Sequence, residues 1–142
     1  DVFCASIHAD PANCYPFYQG YAGEQGEGDG LGWNVNLPLP KGSGDVEVLA
    51  AVGAFCDQAL ELECAAMVVA LGFDGHEEDP LGQFRISTPG FEAISRRIAK
   101  TGLPVLLVQE GGYDSDRLGS YLAAFLQPVI SPSSAFCDRS QK

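Results

Sequence analysis

Residues 65–80 read AAMVVALGFDGHEEDP, an unbroken apolar run that ends in a carboxylate, a histidine and three further acids before a proline. Continuous rather than alternating apolarity is the pattern of a strand covered on both faces, as in parallel sheets. In such sheets ligands bind beyond the carboxyl ends of the strands, so Asp74 stands where a functional group belongs. A carboxylate that follows Leu71-Gly72-Phe73 is partly desolvated unless a cation or hydrogen-bond donors compensate it. Asp74 and His76 are two residues apart, the spacing of an Asp-x-His metal pair on a continuing strand. The alternative is that Asp74 caps a turn and that HEED is a solvated acidic loop.

Outward from this run, three more apolar segments read as strands: 2–7 (VFCASI), 33–37 within WNVNLPL, and 104–109 within LPVLLVQE, with the run itself forming a strand over 66–71. Helix-like segments lie between them. Over 45–62, Val48, Leu49, Val52, Phe55, Cys56 and Leu60 recur at three- and four-residue spacings and form one apolar face. Ser87 or Thr88 can cap a helix near 89–101 that opens on Pro89, carries Phe91, Ile94 and Ile98 inward, and stops at Thr101-Gly102. A third helix near 115–127 turns Leu118, Tyr121, Leu122 and Phe125 to the interior. Strands alternating with helices give an α/β fold with a doubly wound parallel sheet.

Residues 8–32 form a long Gly-rich loop with four aromatics, and loops of that length tend to be functional or disordered. Its GEGDGLG tract (26–32) does not read as a phosphate loop. Glu27 and Asp29 repel phosphate, and no Gly-Lys-Ser/Thr follows.

The chain has 142 residues, 46% of them hydrophobic, which suffices for one core. Nineteen acidic against eight basic residues give a formal charge of −11. That surface excludes phosphate backbones as direct partners and suits a cationic partner such as a polyamine or a lysine-rich tail. The five cysteines, Cys4, Cys14, Cys56, Cys64 and Cys137, are odd in number, lack C-x-x-C spacing and mostly have apolar neighbours. They read as reduced, buried thiols. No stretch approaches the roughly eighteen apolar residues of a membrane span. A soluble, cytoplasmic protein without a membrane partner is the expectation. Because strand composition begins at Val2, directly after Asp1, the chain is also expected to start upstream.

Four segments together carry a resemblance: SIHADP (6–11), YPFYQGYAGEQGEGDGLGWNVNLPLPKGSG (15–44), ALGFDGHEEDPLGQF (70–84) and VQEGGY (108–113). In order and approximate spacing, from Val2 to about Leu126, they resemble the zinc-dependent histone deacetylases and acetylpolyamine amidohydrolases. The likeness extends most to bacterial amidohydrolase-type and class II-type members, whose tyrosine motif also reads EGGY. The resemblance implies a parallel-sheet, three-layer arginase/deacetylase-like fold, present in part. Residues 1–127 would be the C-terminal part of a catalytic domain and 128–142 a poorly ordered tail.

Position by position, the resemblance makes Asp74 the third ligand of Zn²⁺ or another divalent metal, and removes His76 from the ligand set. It makes Tyr113 the catalytic residue whose hydroxyl polarises the amide carbonyl opposite the metal. Tyr15, Leu81 and Gly111 become substrate-binding, with Tyr15 as an aromatic wall, Leu81 at the tunnel rim, and Gly111-Gly112 letting the backbone bend before Tyr113. Ser6 and Ile7 match donors to a monovalent cation such as K⁺. Where the family commonly has Thr, Gly75 follows Asp74. The acidic rim residue associated with polyamine selectivity in one branch is absent at Leu81.

The family's His-His pair and its Asp-x-His ligand strand are nowhere in the chain and are expected ahead of Asp1. The segment alone is therefore expected to be inactive. In its full context the implied activity is hydrolysis of N-acetyl or related acyl amides of lysine side chains or amines. The alternatives are an acetylpolyamine amidohydrolase and a non-catalytic deacetylase-like interaction module. Asp74, Tyr113, Tyr15 and Leu81 are expected to line one concavity, with His76 pointing away.

Overall fold

The computed structural model describes residues 1–130. The elements run β1 (Cys4–Ala9), β2 (Asn34–Leu39), α1 (Asp45–Glu61), β3 (Met67–Leu71), α2 (Thr88–Ala99), β4 (Val105–Gln109) and α3 (Leu118–Ile130), with a short 3₁₀ turn at Gly28–Gly30. Each expected strand and helix is present, its ends displaced by a few residues. Of the expected tail, residues 128–130 continue α3, with Pro128 buried, because the apolar run AAFLQPVI keeps the helix against the core. Residues 131–142, with Cys137, lie outside the described residues.

All the strand pairing is parallel, but it forms two separate pairs rather than one four-stranded sheet among the described residues. β1 pairs with β2 from Cys4↔Asn34 to Ala9↔Leu39. β3 pairs with β4 from Met67↔Val105 to Leu71↔Gln109. Isolated bridges Gly44↔Arg85 and His76↔Ile86 tie the exit of β2 to the exit of β3.

One face of β3 and β4, bearing Met67, Val69, Val105 and Leu107, packs against the helices around a core of Phe73, Phe91, Ile94, Ile98, Tyr121 and Phe125. Phe73 and Phe125 are 0% exposed and meet edge to face at 6.3 Å. The opposite face, with Val68, Leu106 and Val108, is exposed, so the apolar run is covered on one side only among these residues. The inward face of α1 also differs from expectation. Leu60 is exposed, and small Ala51 and Ala59 are buried beside the expected Val48 and Cys56, which lets α2 come close enough for Arg97 to donate to the Gly53 carbonyl at 3.0 Å. Cys14 and Cys56 are buried as expected, and burial pushes the Cys56 thiol up. Cys4, at the start of β1, is exposed.

Ser87 caps α2, and it also joins two helices. Its hydroxyl accepts from Gly90 N–H at 3.0 Å and donates to Asp45 Oδ2 at 2.6 Å, while its own N–H reaches Asp45 Oδ1 at 2.8 Å. Asp45 thereby anchors the first turn of α1 to the start of α2. A Cβ at Gly90 would lie 2.0 Å from Asp45 Oδ1, so only glycine leaves room for this carboxylate. Ser87→Ala removes both hydroxyl bonds and is expected to destabilise the fold by about 1–2 kcal/mol. A lower urea midpoint at unchanged m value would register it.

Candidate active site

The β3–β4 ladder continues past the ends of the strands. Glu110 N–H donates to the Leu71 carbonyl at 2.9 Å, and Phe73 N–H donates to the Gly111 carbonyl at 2.8 Å. This extension brings Asp74 beside Gly111. A Cβ at Gly111 would sit 2.9 Å from Asp74 Cγ, and one at Gly72 would sit 2.6 Å from Asp74 Oδ1. The two glycines make a cradle that only a backbone without side chains leaves open. Gly111 thus acts on Asp74, while the left-handed bend before Tyr113 is at Gly112, with φ +140°. A Cβ at Gly112 would meet Leu118 Cδ1 at 2.7 Å.

The Asp74 side chain is exposed, contrary to the partial desolvation expected from its apolar neighbours. Among the described residues no donor bonds to its carboxylate, so both oxygens are free to meet a cation. A carboxylate is an apt ligand for Zn²⁺, but a catalytic site takes about three protein ligands. No group of three His, Cys, Asp or Glu side chains that could hold a metal occurs among the described residues. Asp74 therefore fits a metal as one ligand of a larger set.

His76 is excluded from that set by its own bonds. Its Nδ1 accepts the Glu78 N–H at 3.2 Å, which leaves the ring proton on Nε2 to donate to Thr88 Oγ1 at 3.0 Å. The ring is buried and stacks on Tyr121 at 3.9 Å. DGH is thus a turn and a core contact.

Tyr113 is 55% exposed and edges an open depression of about 460 Å³ shared with Glu78, Pro80, Asp114 and Arg117. Beneath it lies a charged network. Arg117 pairs with Glu78, whose carboxyl it holds below the usual range by hydrogen bonding. Tyr121 donates to Asp114 Oδ2 at 2.8 Å, and burial, with this carboxylate beside it, pushes the phenol up to about 12.

The other expected site residues lie apart. Tyr15, 83% exposed, contacts Phe17 edge to face at 6.4 Å, and Leu81 is 61% exposed. Their loops meet where Cys14 Sγ approaches Gln83 Oε1 at 3.7 Å and Gln83 Nε2 donates to the Leu81 carbonyl at 3.2 Å. Neither residue lines the depression at Tyr113, and neither does Asp74. Ser6 lies at the second parallel pair, in a separate hollow with His8, Gln19 and Asn36. His8 Nε2 donates to the Gly20 carbonyl at 2.7 Å, so in the neutral ring Nδ1 accepts from Ser6 Oγ–H at 2.8 Å. The Ser6 oxygen keeps its lone pairs outside this bond. Ile7, adjacent on β1, is half-buried and packs against the core.

One functional candidate escapes sequence reasoning. Asp79 is buried, and its two oxygens take backbone N–H groups from both the Leu81 and the Tyr113 segments. The D-P-x-G sequence marks the turn at 79–82. Nothing local marks a partner at residue 113.

A family profile described as the histone deacetylase domain matches residues 1–129. Acetylpolyamine amidohydrolase 1 of Pseudomonas aeruginosa is 43% identical over 127 residues, which cover 89% of this chain and 37% of that protein. Acetylpolyamine amidohydrolase of Burkholderia pseudomallei is 39% identical over 125 residues, covering 88% of this chain and 37% of its own. The crystal structure of acetylpolyamine aminohydrolase from Burkholderia pseudomallei superposes with a TM-score of 0.87 at 38% identity, over 91% of this chain and 38% of that one. An HDAC homologue complexed with SAHA superposes at 0.82 and 33% identity, over 90% and 35%. The chain spans less than two fifths of the length of these relatives.

Proposed function

The chain belongs to the histone deacetylase domain family, and on that premise we propose that it supplies one side of the active site of a metal-dependent amide hydrolase that removes acetyl groups from amines. The observation that carries this reading is the extended β3–β4 ladder, which sets an unpartnered carboxylate, Asp74, beside the glycine pair leading to Tyr113. A divalent metal such as Zn²⁺ supplies Lewis-acid polarisation of the amide carbonyl and a lowered pKa for the attacking water. Asp74 is the residue here that would hold it, with the remaining ligands and the general base contributed by residues outside this chain. The Tyr113 hydroxyl donates to the carbonyl oxygen as negative charge develops there. Gly72 and Gly111 keep the Asp74 carboxylate uncrowded. Tyr15 and Leu81 present aromatic and aliphatic surface to the methylene stem of the acylated amine. Ser6 Oγ and the Ile7 carbonyl take a monovalent cation such as K⁺, which stiffens the β1 end.

The proposed substrates are acetylated polyamines and acetylated lysine side chains, which share a methylene stem ending in an N-acetyl group. The net charge of −11 suits such cationic amines, and the acetylpolyamine amidohydrolases among the relatives support the first class. The test is acetate release by the complete polypeptide carrying these residues, offered an N-acetylated diamine and an acetyl-lysine peptide. Either substrate is expected to release acetate. Chelation should abolish turnover and added Zn²⁺ restore it. A metal-loaded protein that releases acetate from neither would transfer the reading to a non-catalytic interaction module.

A further inference from the structure

We propose that Asp79 is the positioning residue for Tyr113, holding the tyrosine segment and the Leu81 segment on one buried carboxylate. The inference rests on Tyr113 being the oxyanion donor. Asp79 is 6% exposed. Its Oδ1 accepts the Leu81 N–H at 2.9 Å. Its Oδ2 accepts the Tyr113 N–H at 2.6 Å and the Asp114 N–H at 3.3 Å. Among the described residues no Lys or Arg pairs with it, so backbone dipoles alone compensate the charge, and each such charge-assisted bond is stronger than a neutral one.

The tyrosine segment needs such a clamp. Tyr113 follows two glycines, the second with φ +140°, a backbone pivot that side-chain sterics do not restrict. Tyr113 is more than half exposed, so packing fixes it weakly. Its direction is therefore set largely by its backbone, and the N–H bond to Asp79 fixes that backbone at the pivot. The same carboxylate sits on the loop that begins at Asp74. The proposed metal ligand, the rim residue and the proposed donor are thus referred to one short turn, 74–82.

A carboxylate is required because both oxygens accept. Asn would present an NH₂ to one of the N–H groups, and the facing donors would push one segment away. Displacement of a catalytic group by about 1 Å can cost about 100-fold. Asp79→Asn in the complete protein is expected to lower kcat by about 10- to 100-fold with metal content unchanged, and Asp79→Glu, which keeps two acceptors, to recover part of it.

A merely structural role would lower the rate by the same factor whatever stands at 113. The deciding experiment is therefore a double-mutant cycle of D79N and Y113F, with kcat, metal content and thermal midpoint measured on all four proteins. With the phenol gone there is no donor to misplace, so D79N is expected to change kcat by less than about threefold in the Y113F background. Equal factors in both backgrounds overturn the positioning role. If Y113F alone turns over at the normal rate, it is the donor reading of Tyr113 that fails, and the positioning role fails with it. Should D79N not fold, the cycle run with D79E decides on the same criterion.

Discussion

Asp74→Ala is expected to weaken metal binding in the complete protein by more than about 100-fold and to abolish turnover with it. Loss of a residue that merely orients a ligand already lowers metal affinity by about 10- to 100-fold. Removing a ligand outright should exceed that. The side chain is exposed and makes no hydrogen bond among the described residues, and it rests beside the cradle of Gly72 and Gly111. Truncation therefore leaves no buried group unsatisfied, and the fold should survive with a thermal midpoint near that of the metal-free parent. Asp74→Asn keeps the shape and removes the charge, so it should bind metal between parent and alanine variant. Elemental analysis after dialysis, beside acetate release, reads both effects. An alanine variant with full metal content would show that Asp74 is not a ligand.

Tyr113→Phe should leave metal content and stability as they are and lower kcat by about 100- to 1000-fold, the usual effect of removing one oxyanion donor. Stability should hold for a structural reason. What ties Tyr113 to the protein is its N–H bond to Asp79, which phenylalanine keeps, while the residue as a whole is more than half exposed. The loss should fall on kcat rather than KM, because the phenol interacts with the oxyanion of the transition state more strongly than with the ground-state amide. Steady-state kinetics on the metal-replete protein test this directly, and a normal kcat would remove Tyr113 from the chemistry. Together the two variants separate a ligand, whose loss moves metal content, from a donor, whose loss moves rate alone.

Much of the site was legible in the chain because its parts are local. A continuous apolar run followed by Asp74, and another followed by Gly111-Gly112-Tyr113, are strand ends that can be read without any contact map. So are the Ser87 cap with Pro89 behind it and the stop at Gly102. The motif resemblance adds the expected roles that spacing alone leaves open, above all the preference for Asp74 and Tyr113 over His76.

Other features depend on where distant segments meet. That the strands form two pairs, and that Val68, Leu106 and Val108 are exposed, is a property of which layers are present, and apolar composition is the same whether a face is covered or bare. His76 is kept from a metal by tertiary contacts, its two nitrogens engaged by Glu78 N–H and Thr88 Oγ1. Asp79 shows the division within one residue. Its Oδ1 serves a turn two residues on, which the D-P-x-G pattern announces. Its Oδ2 serves Tyr113, 34 residues away, through a backbone N–H that every residue but proline carries. The strands, the caps and the carboxylate at the strand end can be read from residue order, because each is set by side chains within one element. What Asp79 holds follows only from how the elements meet, because a backbone donor leaves no trace in the identity of the residue that bears it.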